Sequence, residues 1–237
     1  MFNKTKEEIE EALPEILRIA AMGDVGAMRK LGDIYYFGLM KERDYSKAVF
    51  WYEKASNNND TVSMNRLASI YLEGKPSQKD IDLAIELLQK AAKLGNSAAM
   101  NNLGLIYRDD IYQKQDLEEA KKWFKKAIDK GNDYAIFNLG VLYFDLDKLD
   151  EAFDLIEQSI KKGNTKAMLF MGSIYYSGIK VEQDKKRAFH YFGMAAEKDD
   201  IEGLDSVAYM LEHGDGVEEN KAKAAFFRKR VRLLKGK

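Results

Sequence analysis

Few residues in this 237-residue chain have the chemistry to act on a substrate. There are 2 histidines, His190 and His213, the side chains best suited to general-base work or metal ligation near neutral pH. Neither stands at ligand spacing from another histidine. Cysteine is absent, which excludes a cysteine nucleophile, a zinc–thiolate centre and a disulfide framework together. The run Gly214-Asp215-Gly216 follows no strand-like segment, so it is not the glycine loop that cradles a phosphate. Carboxylates are numerous but interleave with lysine. Glu118 and Glu119 beside Lys121, Lys122, Lys125 and Lys126 show the pattern, which belongs to solvated helix faces with local ion pairs. The sequence therefore assigns no catalytic residue, no metal site and no cofactor.

Recognition chemistry is better represented. Tyr36, Phe37, Tyr134, Phe137, Phe144, Tyr176 and Tyr209 supply aromatic rings, and Asn65 and Asn101 supply amides. Rings bury area and anchor a partner, while amides bond the backbone of an extended peptide. Asn102 and Asn138 extend the amide ladder, with Lys30 and Arg66 beside it, and Val141 and Leu169 enlarge the apolar patch. An acidic rim runs through Asp33, Glu73, Asp109, Asp145 and Glu212. For these residues to share one surface, an architecture must bring together positions spread over most of the chain.

An internal repeat does this. Ala48, Ala84, Ala120, Ala152, Ala188 and Ala224 recur at steps of 36, 36, 32, 36 and 36 residues. Gly32, Ala68, Gly104, Gly140, Gly172 and Ala208 recur at steps of 36, 36, 36, 32 and 36. Two columns that each keep a 36-residue step, with a single step of 32 spanning the same short loop, mark a solenoid built from a single supersecondary unit.

Each unit reads as a helical hairpin. In the third, Ala99, Met100, Leu103 and Tyr107 lie on one helical stripe, and Ala120, Trp123, Phe124 and Ala127 lie on another. The polar stretch 109–115 holds the turn between them. Asp44, Asp80, Asp116, Asp184 and Asn220 stand where each second helix starts and are capping types. Glycine inside a first helix costs about 1 kcal/mol relative to alanine. Its recurrence implies two helices pressed together where no side chain fits. Tyr35, Tyr71, Tyr107, Tyr143 and Tyr175, with Leu211 last, read as hairpin core rather than a stacking platform. Residues 5–22 read as the second helix of a half repeat, opening with a Thr5…Glu8 capping box and kinked or restarted at Pro14. Thirteen helices are expected.

The unit resembles the Sel1-like repeat, a close relative of the tetratricopeptide repeat. The resemblance rests on Ala27-Met-Arg-Lys-Leu-Gly-Asp-Ile-Tyr35 with Lys47-Ala-Val-Phe-Trp-Tyr-Glu-Lys-Ala55, on Ala167-Met-Leu-Phe-Met-Gly-Ser-Ile-Tyr175, and on the loop Gly214-Asp215-Gly216-Val217. It covers roughly nine tenths of the chain. The fourth copy departs from it, with a loop over 144–150 that is four residues short. The family implies partner binding on a concave face lined by first helices, and it includes adaptors and proteins that neutralise secreted toxins. The asparagine ladder does not reproduce the lysine-rich carboxylate clamp of some tetratricopeptide proteins, so a chaperone C-terminus is not the expected ligand.

The fold class expected is all-α: a right-handed α–α superhelix of six helix–turn–helix repeats with capping helices at both ends. Residues 1–22 form the first cap, and the repeats span about 23–58, 59–94, 95–130, 131–162, 163–198 and 199–237. The function expected is a non-catalytic interaction module or adaptor that holds a protein or peptide partner. The alternative is a bacterial immunity protein that neutralises a cognate toxin. A hydrolase on the repeat scaffold is third, because it needs a clustered acid–base set.

Net charge is −1, and the stretch 221–237 holds 8 basic and no acidic residues, leaving 30 basic against 39 acidic elsewhere. A mildly acidic body lacks the dominant basic face of a nucleic-acid binder. The first twenty residues are charged, unlike a signal peptide, and no run is apolar enough to span a membrane. A cytoplasmic location follows. In the basic last helix, Ala224, Phe227, Val231 and Leu234 are expected to face the preceding hairpin. An acidic partner or a membrane gains weight there only if Phe226 and Leu233 are exposed.

Overall fold

The structure, a computed structural model, describes residues 5–40, 42–75 and 78–236. Among these it contains thirteen α-helices and no strand. They are α1 (Lys6–Ala21), α2 (Val25–Phe37), α3 (Tyr45–Asn57), α4 (Thr61–Glu73), α5 (Ile81–Lys93), α6 (Ser97–Arg108), α7 (Leu117–Asp129), α8 (Asp133–Asp145), α9 (Leu149–Lys161), α10 (Thr165–Ser177), α11 (Lys185–Glu197), α12 (Ile201–His213) and α13 (Lys221–Lys235). A single 3-10 turn, Asp110–Tyr112, sits between α6 and α7. The fold class is the all-α, helical-hairpin solenoid class that the repeat indicates.

Side-chain caps set the helix starts. Asp44, Asp80, Asp116, Asp184 and Asn220 each accept a backbone N–H three residues on, at 2.9–3.0 Å. A second series, Asp24, Asp60, Asn96, Asn164 and Asp200, caps α2, α4, α6, α10 and α12. The shortened fourth loop leaves only residues 146–148 between α8 and α9, and Lys148 at the N-cap makes no side-chain bond. Lys148 stands where the other copies carry a capping aspartate or asparagine.

The Thr5–Glu8 capping box is present in both directions. Pro14 does not restart the helix, because α1 runs unbroken through it. Proline has no amide to offer the carbonyl of Glu10, and Glu10 is exposed.

The glycine column is a close-approach column. A Cβ built on Gly104 would lie 2.5 Å from Cδ1 and Cε1 of Phe124, and one on Gly172 would lie 2.6 Å from the Phe192 ring. Gly32 faces Tyr52 more closely still, and Gly140 faces Ile156 at 2.8 Å. Where alanine replaces glycine, at Ala68, the matching second-helix residue is the smaller Leu88, fully buried. Tyr52, Leu88, Phe124, Ile156 and Phe192 therefore form one buried column. In the sixth repeat this position is Arg228, bonded to Asp205 at 2.7 Å and to Glu212 at 3.4 Å.

The chain divides into two compact units, Met1–Ala135 and Ile136–Lys237. In the first, Ile9, Ile16, Leu31 and Ile34 bury α1 against α2, and Tyr52 packs with Leu67 and Ile70. The Tyr52 hydroxyl donates to the buried Asp33 carboxylate at 2.6 Å. Polar bonds tie one repeat to the next: Arg29 to Asp60 at 2.8 Å, Asn96 to Thr61 at 3.0 Å, and Asn102 to Asn65 at 2.9 Å. In the second unit, Ile156, Met168 and Met171 form one cluster, while Phe192, Leu204, Val207 and Val231 form another.

Candidate partner-binding groove

Within the second unit a groove of about 960 Å³ runs along α12. Ile201, Glu202, Asp205, Ser206 and Tyr209 line it at offsets of 1, 4, 5 and 8 residues, the spacing of one helix face. Phe192 and Met210 are its buried apolar floor. Tyr176 enters from α10 and Arg228 from α13. Ile201 is 36% and Tyr209 44% exposed, so apolar area is left for a partner to cover.

Hydrogen bonds hold the walls. The Tyr176 hydroxyl donates to Asp215 at 2.7 Å, and the Lys185 ammonium donates to the other oxygen at 2.5 Å. The bond to Asp215, with burial behind it, pushes the Tyr176 hydroxyl up to about 12. Lys185 and Tyr176 hold the Asp215 carboxyl below its ordinary value. His213 lies against Tyr209 with ring centroids 4.4 Å apart and planes tilted by 31°, and its Nδ1–H donates to the Tyr209 carbonyl at 2.9 Å. The groove carries four carboxylates, Asp199, Asp200, Glu202 and Asp205. Arg230 binds Asp199, Arg228 and Lys235 bind Asp205, and Asp200 caps α12. Such a site can anchor rings and bond polar groups. His190 lies edge-on to Tyr191 and His213 against Tyr209, and the described residues hold no cluster of three metal-ligating groups.

Of the nine residues expected to bind a partner, Tyr176 and Tyr209 share this groove. Phe144 is corrected: it is 7% exposed, with the Phe170 ring at 5.3 Å and the Lys180 ammonium at 4.8 Å covering it. Asn101 is corrected too, being buried in α6. Asn65 is half-buried, and its side-chain oxygen accepts from Asn102, so that part of the amide ladder bonds itself rather than awaiting a peptide. Phe137 is half-buried, edge-on to Phe170 at 5.7 Å. Tyr36 is half-buried against Phe37 at 4.9 Å, and Phe37 lies 5.1 Å beneath the Arg66 guanidinium. Tyr134 is 70% exposed on α8. Asp33 leaves the acidic rim, because it is buried under Tyr52.

Sequence reasoning missed Ile201, Arg228 and the role of Asp215. The signal for Arg228 was present, as the one charge in an apolar column. Asp215 was read only as part of a family loop.

Comparisons with known proteins agree with this architecture. Residues 25–60, 61–96, 97–132, 165–200 and 202–227 match the family described as Sel1 repeat, and residues 134–161 match the tetratricopeptide repeat. An uncharacterized Sel1-like repeat-containing protein of Schizosaccharomyces pombe is 44% identical over 59 residues, 23% of this chain and 9% of that protein. The match thus spans under a tenth of that relative's length. Three solved structures are similar in fold. A Sel1 repeat protein from Oxalobacter formigenes is 21% identical with a TM-score of 0.72, over 95% of this chain and 94% of its own. A protective antigen of uropathogenic Escherichia coli is 23% identical with a TM-score of 0.72, over 93% of this chain and 51% of its own. An immunity protein from Pseudomonas aeruginosa is 18% identical with a TM-score of 0.64, over 90% and 82%. Five matched copies, together with the close-approach column they share, show that the chain belongs to the Sel1 repeat family.

Proposed function

We propose that the protein is a non-catalytic interaction module that holds a protein or peptide partner in the groove along α12. Sel1 and tetratricopeptide scaffolds typically serve protein–protein interaction and are generally not enzymes, which supports the reading at the level of class. One observation carries it further. Tyr209 and Ile201 stand partly exposed beside a Tyr176 ring that Asp215 fixes in place. Rigid aromatic anchors of this kind carry a large share of binding energy at interfaces, about 2 kcal/mol or more each on truncation. Tyr36, Phe37, Asn65 and Tyr134 in the first unit, and Phe137 in the second, remain candidate contacts in their own right in this proposal, and its setting is the cytoplasm.

Affinity capture from the native host, wild type against Tyr209→Asp, tests it. A partner retained by the wild type and lost by the variant supports the groove. An identical set of partners from both removes it.

A second reading is that the partner is a toxin and the protein its immunity factor. The carboxylates along α12 favour it, since Glu202 and Asp200 would meet a basic toxin surface. Solved proteins with this fold include immunity proteins from Pseudomonas aeruginosa. A toxin gene coded beside this one, and its neutralisation on co-expression, is the test.

A further inference from the structure

The outer face of α13 differs from every other second helix in the chain. Phe226 is 60% and Leu233 61% exposed, although the opposite face is well packed, with Ala224 and Val231 buried and Phe227 and Leu234 half-buried. The repeat supplies its own control. The column of Phe226 holds Phe50, Glu86, Lys122, Asp154 and His190 in earlier copies, and the column of Leu233 holds Asn57, Lys93, Asp129, Lys161 and Glu197. Positions that are mostly polar elsewhere have become large and apolar here, two turns apart on one stripe.

Charge accompanies the change. The 15 residues of α13 include seven basic side chains and no acidic one. Lys223 precedes Phe226 by one turn, and Lys229 and Arg230 follow it by one turn, so cations flank Phe226 and stand between it and Leu233 along the stripe. Glu219 and Asp199 are already taken by Lys221 and Arg230, whereas Lys223 and Lys229 make no ion pair among the described residues. This helix face alternates exposed apolar and cationic side chains and stays cationic although Glu218 and Glu219 border it beside Lys223, which suits an anionic surface. Phe226 and Leu233 enter the acyl boundary, and the lysine stems reach back to the headgroups.

We propose that this face of α13 is a docking site for an anionic membrane surface. No helix of the described residues is long and apolar enough to cross a membrane, so the contact is peripheral. With two apolar anchors and a few cations it is weak, reversible and salt-sensitive. It is also independent of the α12 groove, whose residues it does not use.

Co-sedimentation of the full chain with lipid vesicles tests the proposal. The protein is expected to sediment with vesicles rich in phosphatidylserine, to stay in solution with pure phosphatidylcholine, and to be released by added salt. Phe226→Ser with Leu233→Ser abolishes sedimentation, and Lys223→Gln with Lys229→Gln weakens it about thirtyfold. Both pairs are exposed, so far-UV circular dichroism is expected to be unchanged, and Tyr209→Asp still sediments. Sedimentation that is absent, equal on both lipids, or indifferent to the variants overturns the proposal. It is equally overturned if the apolar pair proves necessary for holding an acidic protein while vesicles are ignored.

Discussion

Gly104→Ala is expected to destabilise the protein although alanine is the better helix former. The gain in α6 from replacing glycine is about 1 kcal/mol. Against it, the added methyl would lie 2.5 Å from two ring carbons of Phe124 and 3.0 Å from a third. Ordinary carbon contacts lie near 3.5–4.0 Å, so the ring or the helix must move by about 1 Å. Overpacking of this kind costs about 1–3 kcal/mol. An overlap with two atoms of one rigid, fully buried ring belongs at the upper end, and the net loss is about 2 kcal/mol. The second repeat shows the remedy, because there Ala68 is matched by Leu88. Phe124→Leu alone should lose about 1 kcal/mol through incomplete filling. Combined with Gly104→Ala, it should recover most of that variant's loss. Urea unfolding of the wild type, both single variants and the double variant closes the cycle, with unchanged m-values showing that only stability moved. A neutral or stabilising Gly104→Ala, or two losses that simply add, would refute the close-approach account of this column.

Three further outcomes are expected. Pro14→Ala should stabilise α1 by up to about 3 kcal/mol, read as slower amide exchange through that helix, because residue 14 is exposed and only the missing amide bond is restored. Tyr52→Phe should cost about 1–3 kcal/mol in urea unfolding, since Asp33 stays buried without its donor. Tyr176 should titrate near pH 12 in an ultraviolet scan, and Asp215→Asn should bring it toward the ordinary value of 10.0. Because folding raises this hydroxyl's pKa, its contribution is full below pH 10 and fades as the pH rises through about 12. Asp215 runs the other way. Its carboxyl is held below its ordinary value of 3.8, so its contribution is present above that pH and is lost as the pH falls through the lower, folded value.

Helices, caps and the close-approach column were legible in the sequence for a common reason. Each depends on contacts within one hairpin, and six copies of the hairpin expose the pattern. Asp116 caps α7 for the same local reason that Asp44 caps α3. The groove was harder to read. Phe144 and Tyr176 occupy one column, yet Phe170 and Lys180 cover the first while Asp215 holds the second at a groove wall. Exposure on a first helix depends on what the following repeat contributes, and that differs between copies. Asn65 and Asn102 likewise sit on a recognition stripe but satisfy each other. A pairing 37 residues apart is invisible to a reading made one helix at a time.

The arginine that stands in the apolar column has an evolutionary meaning. Repeat arrays lengthen by duplication, and a copy is accepted when the face it lands on matches the face it brings. In the sixth repeat, Arg228, Asp205, Glu212 and Lys235 are knitted into a charged mesh on the side of α12 and α13 that lines a cleft of about 620 Å³. A hairpin seated in that cleft would have to strip water from four charges and offer no compensating bonds. At the matching position the fifth repeat buries Phe192, so Arg228 makes the face of the sixth a costlier landing site for any further hairpin. Exchanging Arg228 and its partners for the residues of an earlier copy would lower that cost.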